Sequence, residues 1–186
     1  MDIQIFQYKE SDLGAIRIIL NEYLSFIAKE LIRPPWDFNL DVENEVNFTM
    51  NNLDKFAEPD GRLLLVEVDS EIAGTISLRK IREDAGEIKR MYVKPKFRGK
   101  KLGNLLIEEV IEISQRNEFS KLYLDTAHFM SSAISLYKKY GFKETTSYPE
   151  SVLQKRFVEY NDLHDERIII KLFLESTRSS PLSKPH

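Results

Sequence analysis

Residues 85–103 read AGEIKRMYVKPKFRGKKLG, and the rest of the chain is organised around this stretch. Glu87 to Val93 is a β-branched and aromatic run that predicts a strand. Lys94 to Lys101 contains Pro95 and Gly99, both turn residues, and predicts a connection. From Leu102 apolar residues recur at helical spacing through Leu105, Leu106, Val110, Ile111 and Ile113. The stretch is therefore a strand, a basic turn and the start of a helix. Unpaired N–H groups and the positive end of the helix dipole make such a start a phosphate site.

The charge pattern agrees. Between Ile88 and Ile107 lie seven basic residues and no acidic one, in a chain whose formal net charge is −3. A basic island in an acidic protein points to a localised anionic ligand; the competing reading is a solvated basic loop. Neither G-x-x-x-x-G-K-[ST] nor G-x-G-x-x-G is present, so a P-loop and a dinucleotide fingerprint are both excluded.

What Arg98-Gly99-Lys100-Lys101-Leu102-Gly103 resembles is the acyl-CoA pyrophosphate loop of the GNAT N-acetyltransferases: Arg or Gln, two residues, Gly or Ala, one residue, Gly or Ala. Lys101 departs from it, standing where glycine is usual. A second stretch, Ala133, Leu136, Tyr137 and Gly141-Phe142, resembles the family's A-x-x-L-Y-x-x-x-G-F; Met130 replaces the usual Asn ahead of it. The runs Glu87–Val93 and Leu124–Thr126 resemble a small, mostly uncharacterised group within the family.

The resemblance implies acetyl-CoA as co-substrate. It implies pantetheine in a gap between the strand holding Met91, Tyr92 and Val93 and its neighbour at Tyr123-Leu124. The pyrophosphate then falls to Arg98, Gly99, Lys100, Lys101, Leu102, Gly103 and Asn104. Tyr137 is implied as proton donor to the thiolate, against a plain core aromatic. Glu87 is implied as general base, often through a water, against an ion-paired carboxylate near Lys89. Arg90 either holds a substrate carboxylate or is a surface or ion-paired arginine. Trp36 and Phe38, in the segment after the first helix, either line the acceptor pocket or cover the core. His128 is a weaker base candidate.

The implied function is acetyl transfer to a primary amine, of a small molecule rather than a protein tail. The alternatives are a non-catalytic acyl-CoA-binding sensor module and a protein lysine or N-terminal acetyltransferase. Relatives that dimerise make a homodimer an expectation too.

Composition is that of an ordinary globular chain of 186 residues, 42% hydrophobic and 31% charged. The absence of cysteine excludes disulfides and thiolate chemistry, and three scattered histidines suggest no metal. A pI near 5.7 disfavours nucleic acid. No apolar run reaches membrane-spanning length and the start does not read as a signal peptide, so the expectation is a cytoplasmic protein without a membrane partner.

In chain order the pattern predicts a strand at Ile3–Gln7, a long helix from Leu13 to about Leu31 stopped by Pro34-Pro35, and a less regular helix over Asp41–Phe56. A hairpin follows, Leu63–Val68 and Ile72–Leu78 around Asp69-Ser70-Glu71, with Gly74 a bulge or close approach. Asp84-Ala85-Gly86 reads as the turn into the central strand. Then come the helix ending near Asn117, a strand at Lys121–Asp125, a helix capped by Ser131 or Ser132 and stopped at Gly141, and a terminal antiparallel pair from Phe142 and Glu166–Phe173. Residues 148–165 read as a long polar insert, and 176–186 as a disordered tail. The order β-α-α-β-β-β-α-β-α-β-β predicts an α+β domain over residues 1–175, a mixed, mostly antiparallel sheet flanked by helices.

Overall fold

A computed structural model describes residues 1–34, 36–145 and 170–175, the last as backbone only. The elements are β1 (Ile3–Gln7), α1 (Leu13–Leu31), α2 (Val42–Met50), β2 (Arg62–Val68), β3 (Glu71–Arg82), β4 (Ala85–Val93), α3 (Leu102–Arg116), β5 (Lys121–Thr126), α4 (Ser131–Lys139), β6 (Lys143–Thr145) and β7 (Ile170–Glu175). Among the described residues the strands form one sheet in the order β1-β2-β3-β4-β5-β7-β6. Every pairing is antiparallel except that of β4 with β5. The predicted order of elements and the α+β class are both present. The predicted insert at 148–165 and tail at 176–186 lie outside the described residues.

Both faces of the sheet are covered. Leu63 and Leu65 of β2 pack on Ile16, Ile19, Leu20 and Leu24 of α1, with Val46 of α2. Leu64, Val66 and Val68 point the other way, toward Leu102, Leu106 and Val110 of α3. That explains why β2 reads as an unbroken apolar run: a strand buried on both faces has no polar side to alternate with.

Several local expectations are corrected. The Asp41–Phe56 segment is not one helix: α2 stops at Met50, and Leu53–Phe56 forms a separate 3₁₀ turn. Asp41 does cap α2, its side chain accepting from Asn44 N–H. The turn into β4 is Glu83-Asp84. Ala85 and Gly86 already belong to the strand, and Gly86 lies so close to Phe119 that a Cβ there would sit 2.8 Å from its ring. Met130, not Ser131 or Ser132, occupies the cap position of α4, and no side chain caps that helix. In the β2–β3 hairpin Asp69 and Ser70 both take positive φ (49° and 65°), as a type I′ turn requires.

Gly74 is both things the sequence suggested. The register slips beside it, between Val66 and Glu67, and a Cβ on Gly74 would stand 2.7 Å from Tyr92 O and 2.9 Å from Val66 Cγ1. Backbone cannot yield as a flexible side chain can. Gly74→Ala is therefore expected to cost about 2 kcal/mol, as overpacking does, read from the midpoint of urea unfolding.

Candidate active site

The site begins with an interrupted ladder. β4 and β5 pair from Ala85–Lys121 up to Ile88–Leu124, and no further. Beyond Ile88, β4 stays paired with β3, through Tyr92–Thr75 and Val93–Gly74, but leaves β5. One extra β4 residue lies between Lys89, opposite Ser77, and Tyr92, opposite Thr75. Arg90 sits in this bulge with φ +55°, a conformation that disfavours side-chain-bearing residues. The strands part where the bulge turns β4 aside.

A cleft of about 550 Å³ opens at that parting. Met91, Tyr92 and Val93 border it from β4; Arg98, Gly99, Lys101, Leu102, Gly103 and Asn104 border it from the turn and the start of α3. These were all expected from the sequence. Lys100 does not line the cleft; its ammonium lies 5.4 Å over the Phe97 ring. Ala133 and Leu136 of the second motif line it as well, and Phe26, Phe97, Phe129 and Met130 line it without having been expected there.

The floor of the cleft at α3 is made of backbone. Gly99 has φ +79° and Lys101 φ +60°, so two left-handed residues bend the turn. This explains why glycine would suit position 101: lysine adopts there a conformation that costs a side-chain-bearing residue of order 1 kcal/mol. Among the described residues, the N–H groups from Gly99 through Gly103 donate to no protein acceptor. Consecutive free N–H groups in such a bend make an anion-binding concavity at the positive end of the helix. Gly103 keeps the floor open, since a Cβ there would lie 3.1 Å from Leu136 and 3.4 Å from Met91. A pyrophosphate fits this donor set, with the Arg98 guanidinium as counter-charge. Arg98 is exposed, yet it is held: Nε donates to Val93 O at 3.1 Å, and the guanidinium lies 5.7 Å from the Phe26 ring and 5.9 Å from that of Tyr92. Asn104 is held too, its Nδ2 donating to Tyr140 Oη, which itself donates to Glu108.

Tyr137 on α4 is buried, with its ring 5.8 Å from that of Phe142. It is not among the residues that border the cleft, although its neighbour Leu136 is. Burial pushes its phenol pKa well above the ordinary value, and the Tyr23 phenol adds to the rise. Tyr23 belongs to the core on the α1 face and Tyr137 to that on the α3 face. Tyr23 also packs on Tyr92 at 5.6 Å, and burial raises its own pKa, with nearby Arg90 opposing the rise.

Glu87 is completely buried. Its two oxygens accept from Arg79 Nε at 2.5 Å and Lys89 Nζ at 3.2 Å, and it does not border the cleft. Burial pushes the Lys89 ammonium pKa down, with the nearby Glu87 carboxylate opposing. Arg90 turns from the cleft toward α2. Trp36 reaches the cleft at one remove, edge-on to Phe129 at 6.2 Å. His128 is exposed. Among the described residues no group of side chains is arranged to hold a metal, and no helix is long and apolar enough to cross a membrane.

Residues 27–142 match the sequence model of the Acetyltransferase (GNAT) family. An uncharacterised N-acetyltransferase of Schizosaccharomyces pombe is 31% identical over 141 residues, covering 74% of this chain and 80% of that protein. The fold is also that of the PaiA N-acetyltransferase of Thermoplasma acidophilum, solved in complex with coenzyme A (TM-score 0.71, 19% identity, 95% of this chain and 100% of that one). It is likewise that of YncA from Salmonella typhimurium, a protein solved with acetyl-CoA (TM-score 0.63, 18% identity, 97% and 98% covered).

Proposed function

As a member of the GNAT acetyltransferase family, to which it belongs, this chain is an acetyl-CoA-dependent acetyltransferase, and we propose that its acceptor is the primary amine of a small molecule. The observation that carries this reading is the parting of β4 and β5 beside a run of free N–H groups. The gap and the anion site adjoin, so one extended cofactor can span both. The choice of a small molecule over a lysine-rich tail rests on charge. Arg79, Lys89 and Arg90 outnumber Glu87, the carboxylate that Arg79 and Lys89 share, and the excess positive charge disfavours a cationic peptide.

Acetyl-CoA supplies a thioester as acyl donor. The chain's own residues divide the remaining work. Arg98 and the N–H groups of Gly99–Gly103 bind the pyrophosphate. The edge of β4 left bare above Ile88 takes up the pantetheine amides as an added strand would. Tyr137, kept neutral by burial, donates a hydrogen bond to the departing sulfur. Glu87 receives the amine proton through a relay, because Arg79 and Lys89 already occupy both its oxygens.

Glu87→Gln is expected to lower kcat/KM about tenfold and to displace the acidic limb of its pH profile, where the amine is most protonated. It should also lower the midpoint of unfolding, since two half-buried cations lose their carboxylate. An unchanged pH profile together with lowered stability would make Glu87 purely structural.

The function is tested by thiol release from acetyl-CoA over a panel of amino acids, polyamines, aminoglycosides and lysine peptides. The chain has no cysteine, so the thiol signal has no contribution from the enzyme. Release with small amines is the expected result. Release with lysine peptides alone would replace the acceptor assignment. Coenzyme A binding without release for any amine would favour a binding module.

A further inference from the structure

Arg90 is a cation held by a hydroxyl and not by a carboxylate. Arg90 Nη2 and Nε donate to the hydroxyl of Thr49 on α2, at 2.9 and 3.3 Å. Among the described residues the guanidinium has no carboxylate partner, and its Nη1 end donates to nothing. Its neighbours Arg79 and Lys89 differ, since both pair with the Glu87 carboxylate. Arg90 is half-buried, where an uncompensated charge is costly. Its backbone is also in the left-handed region, a strain that persists only when the surroundings impose it.

The Thr49 hydroxyl is built to hold this cation. It is buried, and it donates to Glu45 O at 3.0 Å, so its lone pairs face Arg90. Arg90 immediately precedes Met91, the first β4 residue at the cleft, and it lies close enough to Tyr23 to act on that phenol. The open end of the fork thus stands on the α1–α2 face, not among the residues that border the cleft but one residue before Met91, which does.

We propose that Arg90, oriented by Thr49, binds a carboxylate of the acceptor, so that the substrate is an amine carrying a carboxylate a short distance from its nitrogen, as in an amino acid. This deepens the small-molecule reading above and rests on it. A single planar fork matches one carboxylate in shape and charge; a phosphate dianion would call for a second unpaired cation. Arg90 is a binding residue here and Thr49 a positioning residue.

The test is acetylation of matched acceptors, each amino acid against its carboxamide, with wild type, Arg90→Gln and Thr49→Val. Wild type is expected to favour the carboxylate at least tenfold in kcat/KM. Arg90→Gln should bring that ratio to within about threefold of unity. Thr49→Val should lower it part-way, through KM rather than kcat. Equal use of acid and amide by wild type, or a ratio unchanged in Arg90→Gln, would overturn the assignment.

If no amine at all releases thiol, the transferase reading fails separately. The carboxylate site is then decided by nitrogen NMR of the arginine Nε–H signals in the protein saturated with coenzyme A. Titrating the same amino acids should move the one signal that Arg90→Gln removes. A signal that no amino acid moves overturns the site, whatever the fate of the enzyme activity.

Discussion

Arg98→Glu is expected to raise the dissociation constant of coenzyme A about 100-fold or more, measured by calorimetry. Arg98 gains its place without burial. Its Nε is tied to Val93 O, and the aromatic rings of Phe26 and Tyr92 border the guanidinium. The anchored end leaves the Nη groups for the pyrophosphate, so little side-chain freedom is lost on binding. The substitution removes a charge-assisted hydrogen bond and also sets an anion beside the ligand's own charges. Either change alone is worth about a factor of 10, which sets the combined figure. Salt should narrow the difference between variant and wild type, because the site is exposed and screened. Unchanged affinity would remove the pyrophosphate from this turn. Loss of binding in Arg98→Glu with normal binding in Lys100→Glu is the sharper form of the prediction, since Lys100 lies over Phe97 and outside the cleft.

Tyr137→Phe is expected to lower kcat by about 100-fold while changing coenzyme A affinity less than about threefold, in keeping with the loss of one well-placed donor. Only the hydroxyl is lost, so the packing against Phe142 survives. The pH dependence carries its own sign. Burial raises the folded phenol above its ordinary value, so the neutral, donating form persists through and beyond pH 10. Any alkaline fall in rate below that point belongs to another group, and Tyr137→Phe should leave its position alone. A phenol held so high is also a reluctant acid toward a thiolate of ordinary basicity near 8.5. Its contribution is therefore a hydrogen bond that strengthens as charge grows on sulfur. Wild-type turnover in Tyr137→Phe at every pH would assign the residue to the core alone.

The two residues differ in how much of their role the chain discloses. Arg98, Gly99, Leu102 and Gly103 lie within six consecutive positions, so one local motif exposes them. Their geometry depends mostly on backbone conformation within the same turn. The order of elements was legible for a similar reason: α1, α3 and β2 declare themselves by spacing and by apolar runs that need no partner to be read. The helix expected over Asp41–Phe56 was less legible. Val46 and Leu53 do face the same core, but the helix between them stops at Met50 and a 3₁₀ turn carries the chain on.

What the sequence determined by itself was the fold class, the basic turn and the family, because each depends on contacts between near neighbours in the chain. The tertiary structure alone decided the rest. It set Arg79 opposite Glu87 in the β3–β4 register, making an ion pair of the candidate base. It bulged β4 at Arg90, a position without glycine to announce it, and brought Thr49 to that guanidinium from 41 residues away. It buried Tyr137 on the α3 face and packed Tyr23 on Tyr92 on the α1 face. Phe26 appears in the sequence as one more apolar residue of α1, and only packing turns it toward Arg98. These relations join segments distant in sequence, and their cost and benefit depend on the desolvation and register that arise once the sheet has formed.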